Sequence, residues 1–142
     1  MDSRETLKHK ILIQQLMAQS ELGTCTRAKV GCLIVRDGRI IATGFNGSPP
    51  GEPHCIDVGC QMEDGHCVRT THAETNAIAF AARYGPPVNG ADLWVYGWHG
   101  GICHRCKKIA QSAGIRFIHQ VFDGLPIVTI SLKGEVNEYV KG

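Results

Sequence analysis

The chain of 142 residues has no long hydrophobic run and no strong excess of charge of either sign. Its longest apolar stretches, such as residues 31–35, are far shorter than the roughly 20 apolar residues that cross a bilayer. The start, MDSRETLKHK, lacks the apolar segment of a secretory signal, so we expect a cytoplasmic protein without a membrane partner. A net charge of +2 and a pI of about 8.2 are too mild for a protein that coats polynucleotides, whereas a small anionic ligand is compatible with them.

The chain also lacks internal repeats, low-complexity tracts and any segment with the composition of a linker. A length of 142 residues is typical of one ordinary domain, and 43% apolar residues suffice for a real hydrophobic core. We therefore expect a single domain over residues 1–142.

Hydrophobic spacing predicts the regular elements. Apolar residues recur at helical intervals between Leu7 and Met17, where Asp2 or Ser3 can begin a helix and Gly23 can end it. The other predicted elements are strands over 30–35 and 40–45 joined by a turn over 36–39, a helix over 72–84, a strand over 91–96, a helix over 103–113, and strands over 115–119 and 126–130. This order favours an α/β fold with a mixed sheet covered by helices, while the tail shows no clear pattern.

Residues 46–70 are rich in Pro, Gly, Cys and charge and show neither helical nor strand periodicity. They are predicted to form one long irregular loop that contains the stretch HCIDVGCQMEDGHC. A loop of this length inside a compact domain needs something to hold it in place.

Seven cysteines are a high and odd number for this length. Without a secretory signal, metal binding or catalysis explains them better than a disulfide framework. They lie at Cys25, Cys32, Cys55, Cys60, Cys67, Cys103 and Cys106.

Two short motifs stand where predicted helices begin, HAE at residues 72–74 and CHRC at residues 103–106. Alone, an H-x-E motif is most simply a capped helix start with an exposed acid. A lone C-x-x-C motif fits either a redox pair or two zinc ligands. Their joint presence is more informative than either motif by itself.

Cys103 and Cys106 lie on one side of a first helical turn, where both sulfurs can reach one ion and the helix N terminus favours their thiolates. His72 from a neighbouring helix start would make three protein ligands and leave a fourth tetrahedral position for water, as in catalytic zinc sites. Zinc lowers the pKa of that water to about 7. Glu74, two residues from the histidine, can then shuttle protons.

An H-x-E motif followed by P-C-x-x-C is the pattern of zinc nucleobase deaminases. Over roughly residues 5–120 the chain closely resembles the deoxycytidylate (dCMP) deaminases, in the segments TRAKVGCLIVRDGRIIATGFNGSPPG, EDGHCVRTTHAETNAI and CHRCKKIAQSAGI. It departs from the pattern at Ile102, which replaces the proline, and in a longer glycine-rich segment over 97–101. The resemblance implies a cytidine-deaminase-like fold with three α/β/α layers and a mixed central sheet.

The resemblance implies hydrolysis of dCMP to dUMP, a supply of nucleotide for dTMP synthesis. Zinc hydroxide would attack C4 of cytosine, and Glu74 would carry the water proton to N3 and assist the departing ammonia. Asn46, after the second strand, and Ala73 would contact the nucleotide, while Arg27 and Lys29 would hold its phosphate. Without the family, Asn46 is most simply a turn residue and the two cations are solvated loop charges.

The resemblance also implies regulation, because many dCMP deaminases are homohexamers that dCTP with Mg²⁺ activates and dTTP inhibits. The candidate effector residues are Gly44, Phe45, Gly47, Glu63, His66 and Arg69. Most relatives have tyrosine where this chain has Phe45, so effector contacts are expected to differ here.

The family further implies a second, structural zinc. Cys103 and Cys106 are assigned to the catalytic ion, and Cys32, inside an apolar strand, is best interpreted as a small buried residue. The remaining candidate ligands are Cys25, Cys55, Cys60 and Cys67, with His54 or His66 as possible replacements for one of them. A closed site would offset the ordering entropy of a loop with few apolar residues; the simpler interpretation is four reduced cysteines without a metal.

Three alternatives are weighed against dCMP. A related deaminase would act on dCTP, cytidine or tRNA adenosine, although a tRNA enzyme is not expected to have the cysteine loop. A redox protein would use Cys103 and Cys106, and a zinc-stapled binding module would have no catalysis. Glu74 argues against the last two, because neither needs an acid beside a ligand.

Overall fold

The computed structural model describes residues 2–97, 101–132 and 139–141. Four helices and eight strands are assigned within these ranges. The helices are α1 Ser3–Ser20, α2 Cys55–Val58, α3 Ala73–Tyr84 and α4 His104–Ser112. The strands are β1 Gly31–Arg36, β2 Arg39–Phe45, β3 Met62–Glu63, β4 His66–Cys67, β5 Asp92–Tyr96, β6 Phe117–Val121, β7 Val128–Ser131 and β8 Tyr139–Lys141.

Six of the strands form one sheet in the order β2-β1-β5-β6-β7-β8. Strands β5 and β6 are parallel, and the other neighbouring pairs are antiparallel, so the sheet is mixed as predicted. The β1–β2 hairpin forms where it was predicted, around a turn in which Asp37 and Gly38 both have positive φ. Because β5 and β6 run parallel, helix α4 carries the chain back along the sheet between them.

Helix α1 covers one face of the sheet. Alternate residues of a strand point to opposite faces, and on this face Leu33 of β1 and Trp94 of β5 pack with Leu16 of α1. Leu16 is fully buried, whereas Leu7, Ile11 and Met17, which helped to predict the helix, remain exposed. The helix therefore rests on the sheet mainly through its second half.

Helices α3 and α4 cover the opposite face. Cys32 of β1 and Ala77 of α3 belong to its fully buried core, so the interpretation of Cys32 as a small buried residue agrees with its position. A Cβ atom added at Gly44 of β2 would lie 2.3 Å from the Ala73 carbonyl oxygen, so only glycine allows α3 to come this close. The sheet between two helical layers confirms the predicted three-layer α/β/α architecture.

The structure corrects several predicted boundaries. Residues 46–70 are less irregular than predicted, since they contain the one-turn helix α2 and the paired strands β3 and β4. Strand β6 begins at Phe117 rather than at residue 115, because the Ile115 N–H still donates to the Ala110 carbonyl at the end of α4. The strand predicted over 126–130 forms as β7, Val128–Ser131, and the tail, which shows no clear pattern in the sequence, adds β8 to the sheet.

No helix within the described residues is both long and apolar enough to span a membrane. Of the glycine-rich segment 97–101, residues 98–100 lie outside the described residues, so its predicted extra length is not tested.

Candidate active site

The N-terminal ends of α3 and α4 bring the two motifs together. His72 and Cys103 are the N-cap residues of these helices. The Nδ1 atom of His72 lies 3.5 Å from the Sγ atom of Cys103 and 3.3 Å from that of Cys106. The three ligand atoms all lie within 4.8 Å of one another, so the predicted ligands form one cluster.

This cluster has the dimensions of a tetrahedral zinc site. Zn–N and Zn–S bonds of about 2.05 and 2.3 Å place tetrahedral ligands about 3.5–3.8 Å apart, close to the separations found here. Burial raises the pKa of the Cys106 thiol, but a divalent cation reverses that preference because it binds the thiolate. One imidazole and two thiols therefore fit Zn²⁺ and leave room for a fourth ligand.

Glu74 lies in the first turn of α3, beside the cluster, and only 5% of its surface is exposed. Burial raises its pKa above the ordinary value of 4.5, against the opposing effects of its own backbone N–H, His72 and Cys106. A buried carboxyl with a raised pKa is suited to taking up and releasing a proton near neutral pH.

A cavity of about 480 Å³ adjoins the cluster, a volume typical of small-molecule sites. The helix starts contribute His72, Ala73, Glu74 and Cys103 to its lining. Arg27, from the segment between α1 and β1, also lines the cavity. Residues 46–70, called the cysteine-rich loop below, contribute Asn46, His66 and Cys67 among others. Ala73 is fully buried. Because its side chain is a methyl group, its backbone is the only polar part that it can offer a ligand.

Asn46 is buried and uses its side chain on the backbone. Its Oδ1 accepts from the Val30 N–H at 2.8 Å, and its Nδ2 donates to the Ala28 carbonyl at 2.7 Å. The side chain therefore fixes the segment before β1 against the end of β2. One lone pair of Oδ1 and one proton of Nδ2 remain for a ligand in the cavity.

The two candidate phosphate-binding cations lie in different places. Arg27 lines the cavity, and its NH1 donates to the Gly65 carbonyl of the cysteine-rich loop at 3.3 Å. Lys29 is not part of the cavity lining, and its Nζ lies 3.7 Å from a carboxylate oxygen of Glu21 in an exposed ion pair. The structure brings Arg27, but not Lys29, to the cavity.

Asn76 connects the corner after β2 with the start of α3. Its Nδ2 donates to the carbonyls of Phe45, Gly47 and Thr71 at 2.8, 3.2 and 3.2 Å. Gly47 and Thr71 also form an isolated bridge with two backbone hydrogen bonds. One amide thus fixes the residues that directly follow Asn46 and directly precede His72.

The four remaining cysteines also gather in space. The sulfur atoms of Cys25, Cys55 and Cys60 lie within 4.8 Å of one another, and Cys67 Sγ lies 3.5 Å from Cys55 Sγ. His54 is not in this group and directs its Nδ1 to the Thr24 hydroxyl at 2.9 Å. His66 is not in it either and is exposed in the β3–β4 pair opposite Glu63.

Two of these cysteines differ in acidity. Although burial opposes it, backbone hydrogen bonds at Thr70, Arg69 and Gln61 lower the pKa of Cys67 to about 6. Burial raises the pKa of Cys55 to about 11. These hydrogen bonds therefore favour the thiolate of Cys67, the form in which cysteine binds metals.

The candidate effector residues fall on two parts of the molecule. Gly44 is buried under α3, and a Cβ at Gly47 would lie 3.0 Å from the Phe45 ring. These two glycines therefore allow neighbouring groups to pack closely against the backbone. Phe45 lies between these glycines at the end of β2, and the last three candidates belong to the cysteine-rich loop: Glu63, His66 and Arg69, whose Nε donates to the Gly59 carbonyl at 3.0 Å. Of these three, His66 lines the cavity.

Several cavity residues were not found by sequence reasoning. Tyr96, Phe122 and Gln120 line the cavity. The Tyr96 hydroxyl donates to both carboxylate oxygens of Asp123, at 2.7 and 2.9 Å. A signal did exist for Gln120, because it is a polar residue in an apolar strand on the face that turns to the core.

Comparison with known proteins places these features in a family. A model of the cytidine and deoxycytidylate deaminase zinc-binding region matches residues 5–121. The chain is 47% identical to ComE operon protein 2 of Bacillus subtilis over 114 residues, which cover 78% of this chain and 59% of that protein. The chain thus spans less than two thirds of that relative.

Two further matches are named dCMP deaminases. The enzyme of phage T4 is 30% identical over 148 aligned residues, covering 78% of this chain and 75% of the phage protein. The crystal structure of the cyanophage S-TIM5 enzyme with dCMP and dUMP superimposes with a TM-score of 0.69 and 26% identity. That match covers 86% of this chain and 84% of the other.

Proposed function

Because the chain belongs to the cytidine and deoxycytidylate deaminase family, we propose that it hydrolyses dCMP to dUMP and ammonia. The observation that carries the proposal is the cluster of His72, Cys103 and Cys106, with buried Glu74 beside it, at a cavity large enough for a nucleotide. The names of the phage relatives favour dCMP over other cytosine compounds.

The catalytic zinc would be held by His72, Cys103 and Cys106. When bound, it supplies a water molecule whose pKa is lowered to near neutrality. The chain holds these ligands firmly, because each belongs to the start of a helix that packs on the sheet. Thr75 supports the cluster, since its hydroxyl lies 3.5 Å from the Cys106 sulfur.

Glu74 would carry the protons of the reaction. Its carboxylate takes a proton from the attacking water and delivers it to N3 of cytosine. It then transfers a second water-derived proton to the departing amine, so that water and dCMP become dUMP and ammonia. Its burial supports this role, because few solvent molecules can compete for the proton.

The remaining substrate contacts follow from the cavity lining. Arg27 would bind the 5′-phosphate, since it lines the cavity and, in the part of the chain that the structure describes, its guanidinium contacts only Met62 and Gly65 of the loop. Asn46 would use its remaining hydrogen-bonding capacity on the sugar or base, and Ala73 would contribute its backbone. Lys29 would act only at longer range, because its ammonium is paired with Glu21.

A second, structural zinc bound by Cys25, Cys55, Cys60 and Cys67 is also proposed. The gathering of four sulfurs from a loop with little apolar packing supports it. His54 or His66 would enter this site only after its side chain left the position described above.

Regulation and assembly are proposed from the family alone. They comprise activation by dCTP with Mg²⁺, inhibition by dTTP, a homohexamer, and a role in dTMP supply within the cytoplasm. Among the candidate effector residues, the exposed Glu63 and His66 and the loop-bound Arg69 have polar groups to offer a nucleotide. Gly44 and Gly47 would act only through their backbones.

The proposal is tested by a deamination panel with dCMP, dCTP, deoxycytidine and a tRNA anticodon stem, each with and without dCTP–Mg²⁺ or dTTP as effector. We expect dCMP to give the highest kcat/KM. Turnover of the tRNA alone would overturn the proposal, and a preference for dCTP or the nucleoside would move it to the related deaminases. Equal rates with and without effectors would refute the regulation while leaving the reaction in place.

A further inference from the structure

Gln120 is a buried polar residue without an assigned role. It lies on β6, is 6% exposed, and has Val95 of β5 and Val128 of β7 as its cross-strand neighbours. An amide in such apolar surroundings is costly unless its polar atoms find partners. Gln120 also lines the same cavity as Glu74 and Cys103.

One end of this amide fixes the turn that leads into the metal cluster. The Oε1 atom accepts a hydrogen bond from the Ile102 N–H at 2.7 Å, directly before Cys103. Because an N–H group requires an acceptor, this contact identifies the oxygen end of the amide. Gly101 has a φ of +79°, and a Cβ added there would collide with Oε1, so the turn is shaped around Gln120.

The other end of the amide faces accessible space. Within the described ranges the structure shows no hydrogen-bond partner for Nε2, whereas every fully buried side-chain nitrogen or oxygen there has one. Nε2 is therefore not enclosed in the core. Since Gln120 and Cys103 line the same cavity, this free donor is available to a ligand bound there.

We propose that Gln120 is a specificity-determining residue whose Nε2 donates a hydrogen bond to the O2 carbonyl of the bound pyrimidine. This inference rests on the proposed function. Cytosine offers two hydrogen-bond acceptors, the ring nitrogen N3 and the carbonyl oxygen O2. In the proposed reaction N3 receives its proton from Glu74. The oxygen end of Gln120 is held by Ile102, so its nitrogen end keeps a fixed direction without a further entropy cost on binding.

The proposed contact has a consequence for selectivity. A donor that stays unpaired in a desolvated site disfavours any ring without a matching acceptor. Adenine has no carbonyl oxygen, so Gln120 would favour pyrimidines over adenine in this cavity.

The first test pairs an altered protein with an altered substrate. Wild type and Gln120→Met are compared on dCMP and on its 2-thio analogue, whose sulfur is a poor acceptor. We expect the sulfur to lower kcat/KM about three- to tenfold in wild type, the effect of one hydrogen bond, and hardly at all in Gln120→Met. Equal losses in both proteins would overturn the proposal.

A second variant separates the two ends of the amide. Gln120→Glu keeps an acceptor for the Ile102 N–H but loses the donor when ionised. Its kcat/KM relative to wild type should be about three- to tenfold lower at neutral pH, and should recover at lower pH as the carboxyl becomes a donor again. A ratio that does not change with pH would overturn the proposal.

Controls distinguish the possible failures. The loss in Gln120→Glu should be the same for dCMP and deoxycytidine, because both carry O2; a loss confined to dCMP would place the contact on the phosphate and overturn the proposal. Zinc content and the urea midpoint of each variant are measured alongside. If wild type turns over no cytosine compound, the proposed function fails. If wild type turns over dCMP normally and the Gln120 variants have the same kcat/KM as wild type, only this inference fails.

Discussion

The Nδ1 atom of His72 lies 3.3 Å from the Sγ atom of Cys106, although 34 positions separate the two residues in the chain. Each residue belongs to the first turn or cap of a different helix, and both helices pack on the same face of the sheet. The sheet therefore determines the distance between the two motifs. Glu74 follows His72 by two residues and inherits its place from the same helix.

Replacing Glu74 by Gln removes the proposed proton carrier and keeps the size of the side chain. We expect kcat to fall at least about 10²–10⁴-fold, while the zinc content of the protein stays unchanged. Steady-state assays with dCMP and metal analysis by emission spectrometry provide the two measurements. Glu52→Gln, in the exposed part of the loop, is the matched control and should be fully active; an active Glu74→Gln would contradict the mechanism.

Metal analysis also tests the second site. We expect two zinc ions per chain in wild type and about one in Cys60→Ser, which should unfold at lower urea concentration because the loop loses its cross-link. Cys32→Ala is the control, since Cys32 is buried in the core and should not change the metal content. One zinc per chain in wild type would refute the structural site.

Asn76 is expected to be a positioning residue. Asn76→Asp would place a carboxylate against the carbonyl oxygens of Phe45, Gly47 and Thr71, which now share its amide protons. We expect a loss of about 1–3 kcal/mol in the free energy of unfolding, measured with urea. Gln111→Glu, an exposed amide on α4, is the matched control and should cost almost nothing.

A purely structural role for Asn76 would lower stability and leave the kinetics of the folded enzyme unchanged. Asn76→Ser, which keeps a short donor, should restore part of the stability. Under conditions where wild type and both Asn76 variants are folded, kcat should still follow the order Asn, Ser, Asp. Identical kcat values would show that Asn76 supports the fold but does not position His72.

Much of the framework could be predicted because its signals are local. The β1–β2 hairpin has β-branched strands around a turn signal, and α3 has an alanine-rich sequence ended by Gly85. The motifs at residues 72–74 and 103–106 were predicted to lie at helix starts, and the structure places them there.

The remaining features depend on contacts that are distant in sequence. The β3–β4 pair lies in a segment where cysteine and charge hide any period, and β8 is defined only by its pairing with β7. No pattern in the sequence separates Arg27, which lines the cavity, from Lys29, which pairs with Glu21. For Gln120 the sequence shows a polar residue in an apolar strand, but not its hydrogen bond with the turn before Cys103.

Arg27 provides a test of phosphate binding. Arg27→Ala should raise KM for dCMP about tenfold or more, because a charge-assisted hydrogen bond is lost, and should change the kinetics of deoxycytidine little. Lys29→Ala is the control and should have a smaller effect, which salt screens further. Equal losses for nucleotide and nucleoside would show that Arg27 does not bind the phosphate.

Asp92 is expected to make stability depend on pH. Burial opposes ionisation, but His119 and Arg116 outweigh it and lower the pKa of Asp92 below its ordinary value of 3.8. A lowered folded pKa means that the stabilisation is complete above the ordinary value and is lost as the pH falls through the folded one. Asp92→Asn should therefore be less stable than wild type at pH 7, by about 1 kcal/mol or less.

The difference between wild type and Asp92→Asn should shrink below about pH 3.8 and nearly vanish at lower pH. Urea denaturation of both proteins across this range gives the measurement, and taking the difference removes acid effects common to both. Asp37→Asn, in the exposed turn, should show no such dependence on pH. A constant difference for Asp92→Asn would mean that its interactions do not depend on its charge.

The cavity draws its lining from two kinds of backbone, helix ends and loop, which would tolerate change to different degrees. Its reacting groups stand at helix ends anchored on the sheet, whereas the Arg27 side chain rests on the Gly65 carbonyl of the cysteine-rich loop. Apart from its ends, which the Gly47–Thr71 bridge joins at the start of α3, the loop could therefore be exchanged or lengthened with little disturbance of the groups at the helix ends. A designer seeking a deaminase for a different cytosine compound would begin at this loop and leave the helix ends as they are.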